Sequence, residues 1–370
     1  MSGALGGAGG KGNMALDGKA MIGTVAAVRQ AYANQVAYCR ANGSPVTGRV
    51  VEAIAAQLDR QTPGEFIEKI RDWTGSPLGD ALPLRSAGAL HALHLSGAAP
   101  ELAPIYADLA ADDVAVIGDA IYHHEPFLLP WLAGPPQTNE AGRSCGFIAG
   151  LLWLASQSLP LHFECLEIGS SAGINLMLGR YRYDLGGVQV GPDEAAMHFQ
   201  PEWRGAPPPD LAIRFSSLKG CDVAPVDLAD PAQALRLKAY IWPEHAVRFA
   251  RLEAAIAAAK TSAPDLVKMN AADFIEQQLV LPQEAGTTRV LMHSIVWQYL
   301  PKDQQARITA AMEAAAAQAT PDRPLGWISL EANRTLLNHG LSVRFWPGGS
   351  EERLLAAAHA HGVWLEWLAG

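Results

Sequence analysis

Cysteine is scarce in this chain, and its spacing excludes the common uses of paired thiols. The four cysteines among 370 residues lie far apart, no C-x-x-C occurs, and no secretory signal precedes them. A disulfide framework and a cysteine-based zinc site are therefore disfavoured. The sequence instead predicts buried thiols in a cytoplasmic protein, at Cys39, Cys145, Cys165 and Cys221.

Long apolar runs and dense basic runs are also missing. The apolar stretch from Gly146 to Ala155 reaches about half of the ~20 residues that a membrane helix needs. The formal net charge is −9, from 28 Lys and Arg against 37 Asp and Glu, and no basic cluster could follow a phosphate backbone. The sequence predicts neither a membrane span nor a nucleic-acid partner, and it leaves the oligomeric state open.

Several histidines stand close together in sequence, but without the partners that a metal site requires. No cysteine pair and no H-E-x-x-H pattern accompanies them, so no metal cofactor is predicted. These histidines are His91 and His94, His123 and His124, and His359 and His361.

The pattern of apolar residues, and with it the predicted secondary structure, changes after residue 160. Residues 1–20 are rich in glycine and lack the apolar core of a signal peptide, which predicts a disordered leader. Residues 21–160 carry apolar side chains at helical spacing, with a helix start at Thr62-Pro63-Gly64-Glu65, and predict a helical cap domain. Residues 161–370 alternate β-rich runs with Ala-rich helices, which predicts an α/β domain with a doubly wound, mostly parallel sheet.

The elements of the α/β domain are predicted from periodicity and turn residues. Residues 181–230 contain a hairpin turn at Asp184-Leu185-Gly186-Gly187 but are otherwise irregular, and we interpret them as an insertion. Strands are predicted near Phe163–Ile168, Asp265–Met269, Arg289–Ser294, Gly326–Glu331, Ser342–Trp346 and Val363–Trp367. Helices are predicted near Ile174–Gly179, Glu244–Lys260, Lys302–Gln318 and Glu351–His361.

The segment from Glu167 to Asn175 carries the strongest functional pattern. A strand-like run ends in the small residues 169–173 and is followed by a predicted helix, so ligand atoms could approach the backbone and the positive end of the helix dipole. A dinucleotide fingerprint would need glycine at Ser171 and Ile174, which disfavours NAD. An acid before such glycines is typical of S-adenosylmethionine methyltransferases. The candidate cofactor-binding residues here are Glu167, Gly169, Ser170, Ser171, Gly173 and Asn175.

The same five residues also match G-x-S-x-G, the nucleophile elbow of α/β-hydrolases. Ser171 would then be the nucleophile. That fold expects several strands and an oxyanion loop upstream, whereas the upstream residues predict helices, and it leaves Glu167 unexplained. In this alternative the base would be a histidine late in the chain: His339, His359 or His361. A tight turn without any ligand is the third interpretation.

The chain resembles a bacterial family known only as a domain of unknown function, whose members join a helical N-terminal half to a methyltransferase-like C-terminal half. The resemblance spans most of the chain. It rests on residues 137–144, 167–176, Gly220-Cys221-Asp222 with 225–227, Trp242-Pro243-Glu244 with Arg248, and His293-Ser294 with Tyr299-Leu300. It implies a fold related to S-adenosylmethionine enzymes and supplies no substrate.

Three aspartates compete for the ribose of a nucleoside-type cofactor. Asp184 follows a β-prone run, and its distance from the glycine loop is close to the ~20 residues that related folds show. We therefore predict Asp184 as the first candidate for the ribose-binding acid. Asp222 and Asp227 are the rivals if the hairpin is inserted before the true second strand. Asp273 could hold the adenine amino group, although capping of a helix is the more conservative interpretation.

Two further regions are predicted to face the molecule that would accept the methyl group. His293, at the end of an apolar strand, and Tyr299 are the candidate catalytic residues, with His293 as a base near neutral pH. Asn139, Glu140 and Arg143 precede an all-apolar helix and are predicted to face a ligand, with Arg143 holding a carboxylate. A structural Glu140–Arg143 salt bridge is the alternative.

Taken together, the sequence predicts a methyltransferase that uses S-adenosylmethionine. Its acceptor would be a small or medium molecule held between the helical and α/β domains. A serine hydrolase and a non-catalytic binding module that keeps the fold remain as alternatives.

Overall fold

The computed structural model of the protein describes residues 24–61 and 64–369. The predicted leader at residues 1–20 lies outside these residues, as do Thr62 and Pro63 of the predicted helix start, whose last residue, Glu65, begins a helix. The chain divides into two compact units, of which the first runs to Pro136 and includes Trp242–Glu244, while the second comprises Gln137–Ile241 and His245–Gly370.

The first unit is helical, as its apolar periodicity predicts. Val28, Tyr32 and Val36 lie on one buried face of the first helix, one helical turn apart, and Tyr32 hydrogen-bonds Ser86 at 2.7 Å in the core. The helices are α1 (Val25–Ala41), α2 (Pro45–Gln57), α3 (Glu65–Arg71), α4 (Leu82–Leu95), α5 (Ala103–Tyr106) and α6 (Asp113–Leu128). Short 3-10 turns lie at Pro100–Leu102 and Leu129–Ala133.

The second unit is a mixed α/β structure. Its helices are α7 (Ser144–Ser156), α8 (Pro231–Ala239), α9 (Ala246–Thr261), α10 (Ala271–Leu279) and α11 (Lys302–Ala316). Its strands are β1 (His162–Ile168), β2 (Tyr181–Leu185), β3 (Val188–Val190), β4 (Met197–Phe199), β5 (Glu202–Arg204), β6 (Arg214–Asp222), β7 (Asp265–Lys268), β8 (Thr287–Ser294), β9 (Leu325–Asn333), β10 (Asn338–Trp346), β11 (Gly349–Ala358) and β12 (Trp364–Trp367). Further 3-10 helices lie at Ala141–Arg143, Ile174–Arg180 and Trp297–Tyr299.

One large, mostly parallel sheet organises this unit. Its strand order in the described residues is β5-β12-β11-β10-β9-β8-β1-β6-β7. The strands from β9 to β7 run parallel, whereas β10, β11 and β12 form an antiparallel extension. A small second sheet of β3-β2-β4 contains the predicted hairpin, with Leu185 paired to Val188 around Gly186-Gly187.

The all-apolar helix α7 belongs to this second unit. The sequence places the domain boundary near Pro160 and the helix between the domains, but residues 137–160 belong to the unit that contains the sheet. The side chain of Ile328 on β9 lies against Gly150, at 3.1 Å from the position where a Cβ would be, and Leu330 and Leu341 lie against Gly146. Small residues therefore let α7 approach β9 and β10 closely, which explains its burial on all sides.

Two predicted elements of the α/β region need correction. The predicted helix Glu351–His361 is strand β11, because pairing with β10 and β12 overrides the helical propensity of its Ala, Leu and Glu residues. The supposed insertion at 181–230 contains β6, which pairs in parallel with β1 at the centre of the sheet. None of the helices in the described part of the chain combines the length and hydropathy needed to cross a bilayer.

Candidate functional site

The order of the strands indicates where a ligand site is expected. From β1 the chain proceeds outward to β6 and β7 on one side, and then returns to β8 and β9 on the other side of β1. In open parallel sheets, ligands bind outside the carboxyl ends of the strands at this reversal point. The loops that follow Ile168 on β1, Asp222 on β6 and Ser294 on β8 therefore form the candidate site.

The loop at residues 169–173 is tightly wound and held by its neighbours. Gly169, Ser171 and Gly173 all have positive φ, at 65°, 54° and 70°. The Ser170 amide donates to the Cys221 carbonyl at 3.0 Å, and the Ser170 hydroxyl donates to the Glu167 carbonyl at 3.0 Å. Ser170 therefore has a structural role in this loop, while the backbone of Ser171 is strained for a residue with a side chain.

The two glycines of the loop are required by protein packing. A Cβ at Gly169 would lie 2.3 Å from Cγ2 of Val296, and one at Gly173 would lie 2.9 Å from Pro264. The sequence predicts that Gly173 lets a ligand approach the backbone, but Pro264 is its neighbour in that direction. A Gly173→Val variant would therefore clash with Pro264 and could not isolate a ligand contact.

The element after the loop differs from the predicted helix. Residues Ile174–Arg180 form a 3-10 helix that leads directly into β2 at Tyr181. The Ile174 amide, at its start, donates to Oδ1 of Asn139 at 3.0 Å. Because the helix is short and this amide is already bonded, the predicted anion-binding helix dipole is wrong for this chain.

Glu167 is a buried acid with incomplete hydrogen bonding. It is 1% exposed, and its Oε1 accepts from Nδ2 of Asn175 at 3.1 Å. Burial raises the pKa of Glu167 to about 7, against the lowering effect of the hydrogen bond from Asn175. Three buried oxygens of this region have no hydrogen-bond partner among the described residues: Glu167 Oε2, Asn175 Oδ1 and Ser171 Oγ.

Asp222 occupies the position that the sequence assigns first to Asp184. It ends β6, the strand beside β1, and its two oxygens accept from the amides of Ser171 at 2.8 Å and Ala224 at 2.9 Å. Asp184 lies in the small sheet, where its Oδ1 accepts from the Gly187 amide at 2.9 Å in the hairpin turn. Asp222, and not Asp184, therefore ends the strand beside β1, because the hairpin that contains Asp184 precedes that strand. Asp227 accepts from the Ala229 amide in the turn before α8.

Asp273 lies in the first turn of α10 and is not its N-cap, so the conservative interpretation holds for Asn270 instead. Asn270 is the N-cap of α10, and its Oδ1 accepts from the Asp273 amide at 2.9 Å. The carboxylate of Asp273 also pairs with Arg307 at 2.7 Å. These bonds account for the residue without a ligand.

His293 has no free nitrogen in this structure. The Trp327 indole N–H, which can only donate, bonds Nε2 at 2.9 Å, so Nε2 is the unprotonated nitrogen. The proton therefore lies on Nδ1, which donates to Glu331 Oε1 at 2.7 Å. The imidazole also stacks on Trp297. Both ring nitrogens of His293 are thus bonded within the protein. Tyr299 is 73% exposed on a 3-10 turn.

Glu331 is a residue that the sequence does not single out. Its Oε1 accepts from His293 and from the amides of Val296 and Trp297, both at 3.1 Å. It therefore shapes the loop after β8, whose Ile295 has φ 52°. Only its position at the end of a predicted strand could have indicated this role.

Asn139, Glu140 and Arg143 lie in the second unit, each with a different partner. Asn139 donates to the Ser170 carbonyl and accepts from Ile174, so it clamps the glycine loop. Glu140 pairs with Arg248 at 2.6 Å, and therefore the predicted alternative of a Glu140–Arg143 salt bridge is wrong. Among the described residues, Arg143 donates from Nε alone, to the Ala360 carbonyl at 3.0 Å.

The serine hydrolase constellation is not assembled in this structure. Ser171 Oγ has no hydrogen-bond partner in the described residues, so no histidine activates it. His339 is the second residue of strand β10, and His359 and His361 lie in the turn that follows β11. Among the residues described, no group of three or more potential ligands could hold a metal ion.

The fold and site therefore define an α/β protein with a candidate ligand site at the carboxyl ends of β1, β6 and β8. The chain belongs to the family described as "uncharacterized protein conserved in bacteria (DUF2332)", whose match covers residues 29–367. No curated protein and no solved structure matches the chain.

Proposed function

We propose that this protein is a methyltransferase that binds S-adenosylmethionine at the carboxyl ends of β1 and β6. The observation that carries the proposal is the placement of two acids, Glu167 and Asp222, at the ends of adjacent parallel strands beside the reversal point of the sheet. The parallel order β7-β6-β1-β8-β9 supports it, because a doubly wound sheet of this kind is suited to nucleoside ligands.

The polar atoms of the site suit such a ligand. A carboxylate has about four acceptor positions, so Asp222 could accept from ribose hydroxyls while it keeps the amides of Ser171 and Ala224. The buried oxygens Glu167 Oε2 and Asn175 Oδ1 lack partners and would accept from the amino group of the donor. Buried polar atoms without partners are costly, and a bound ligand would satisfy them.

The donor would supply a methyl group on a sulfonium, and the chain would orient the reacting molecules. Methyl transfer is an in-line displacement, so most of the acceleration would come from alignment. His293 is not proposed as a base, because both of its nitrogens are bonded.

Calorimetric titration with S-adenosylhomocysteine tests the proposal. We expect wild type to bind, and Asp222→Ala to bind at least about tenfold more weakly, equivalent to ~1.4 kcal/mol. Asp184→Ala is the matched control, since Asp184 also accepts a backbone amide in a turn and should leave affinity unchanged. No binding to the wild type at millimolar ligand, or equal loss in both variants, would contradict the assignment. Binding without turnover over a panel of acceptors would favour a non-catalytic binding module.

A serine hydrolase is the second candidate, and one observation favours it. Ser171 follows a strand and has a positive φ of 54°, as the serine of a strained nucleophile elbow does. We rank it lower because no histidine bonds the Ser171 hydroxyl. A fluorophosphonate probe should leave Ser171 unmodified, and stoichiometric labelling of Ser171 would reverse the ranking.

A further inference from the structure

Arg143 differs from the other buried arginines in its lack of partners. Three arginines are classed as buried in the described part of the chain: Arg85, Arg143 and Arg289. Arg289 donates to three backbone carbonyls and pairs with Glu164, and Arg85 donates to two carbonyls and lies over the Trp73 ring. Arg143 is 7% exposed, and its only bond within the described residues runs from Nε to Ala360.

The acidic residues around Arg143 form their hydrogen bonds and ion pairs with other residues. Glu140 pairs with Arg248 and reaches Arg251 at 3.7 Å, and Glu331 accepts from His293 and two loop amides. Glu167 accepts from Asn175. None of these acids lies within ion-pair distance of Arg143 in the described residues, although each acts on it at longer range. Nη1 and Nη2 of this largely buried guanidinium have no partner among the described residues and stay accessible, so this edge is open to an anion from solution.

A second unpartnered group adjoins Arg143. His361 follows Ala360, the acceptor of the Arg143 Nε bond, and its Nδ1 is buried without a hydrogen-bond partner. The turn that carries it packs directly on the turn before α7, since a Cβ at Gly142 would lie 2.4 Å from the His361 carbonyl oxygen. A small cavity lined by Arg143, His359 and Gly362 borders this junction, and His361 lies next to it in sequence without lining it.

We propose that Arg143 and His361 form a binding site for the carboxylate of a small molecule. Because Nε is occupied by Ala360, the edge formed by Nη1 and Nη2 remains, and its two parallel N–H groups match the two oxygens of a carboxylate. A neutral His361 with its proton on Nδ1 would donate a further hydrogen bond. The nearby acids Glu140 and Glu331 disfavour a doubly charged phosphate.

Saturation-transfer NMR on the full chain tests the site, with butyrate as the probe and uncharged butyramide as its isostere at constant ionic strength. We expect saturation transfer to butyrate and at least fivefold less to butyramide. Arg143→Met, which keeps the volume and removes the charge, should lose the butyrate signal, and Arg143→Lys should retain a weakened one because it cannot bind bidentately. Arg182→Met is the control, since Arg182 pairs with the exposed Asp193 in the small sheet.

The thermal stability of Arg143 variants distinguishes an anion-binding role of Arg143 from a structural one. If the Arg143 guanidinium is unpaired in the absence of a bound anion, Arg143→Met should have a thermal midpoint equal to or above that of wild type when no butyrate is present. A midpoint lowered by several degrees, or equal butyrate signals in wild type and Arg143→Met, would overturn the proposal, as would absence of a butyrate signal in wild type. If Arg143→Met fails to fold, unchanged butyrate binding by Arg143→Lys would also overturn it. Asp222→Ala should bind butyrate normally, so failure here is distinguishable from failure of the cofactor site.

Discussion

At the scale of single residues, burial has its clearest chemical consequence at Glu167. Its pKa is raised from 4.5 to about 7 in the folded protein. Between these two values the folded state holds a proton that the unfolded state has released, so stability falls as pH rises from about 4.5 to about 7. The cost arises because the ionised carboxylate is desolvated with one oxygen unbonded.

A Glu167→Gln variant should remove this dependence, because glutamine is a neutral isostere of the protonated acid. Relative to wild type, we expect the variant to gain up to roughly 3 kcal/mol of unfolding free energy between pH 4.5 and pH 8. Urea unfolding of both proteins at several pH values measures the difference. A difference that stays constant over this range would show that Glu167 is ionised throughout.

At the scale of elements, the loop after β8 depends on a side chain from the next strand. Glu331 on β9 accepts from the imidazole of His293 and from two loop amides through one oxygen. Glu331→Ala should lower the unfolding free energy by roughly 2–4 kcal/mol, because it leaves these donors without their acceptor. Glu352→Ala on β11 is the control and should change stability by less than ~0.5 kcal/mol, since Glu352 is an exposed partner of Arg344. Equal effects in chemical denaturation would refute the assigned role.

The turn after β11 and the turn before α7 form a second tight junction. Gly362 has φ 65°, and a Cβ there would lie 2.1 Å from the Gly142 carbonyl oxygen. Gly362→Ala should therefore cost about 3 kcal/mol, from left-handed backbone and overpacking together. Gly286→Ala separates the two causes: Gly286 has φ 72° with nothing within 4 Å, so only ~1–2 kcal/mol is expected. Similar thermal denaturation of both variants would argue against a close backbone contact.

Elements could be predicted from sequence where local pattern and tertiary pairing agree. The predicted strands at β1, β8 and β9 are present because continuous apolar runs mark strands buried on both faces. Strand β11 was mispredicted as a helix, because its Leu and Ala residues favour helix until β10 and β12 pair with it. Strand β6 was hidden in a polar segment, since Arg214–Lys219 is mostly exposed or half-buried.

At the scale of the whole molecule, the helical first part and the mostly parallel sheet could be predicted from periodicity alone. The partners within the candidate site could not. Choosing Asp222 over Asp184 requires knowing which strand lies beside β1, and the bonds of His293 come from residues 34 and 38 positions away. Such long-range pairings are set by the order of the strands, which single-sequence patterns do not encode.

A crystal structure of the full chain soaked with S-adenosylhomocysteine tests the central claim most directly. We predict one ligand per chain, with its ribose at Asp222 and its amino group at Glu167 and Asn175, so that the unbonded oxygens of the site acquire partners. An empty site after millimolar soaking, or a ligand bound away from the carboxyl ends of β1 and β6, would contradict the proposed function.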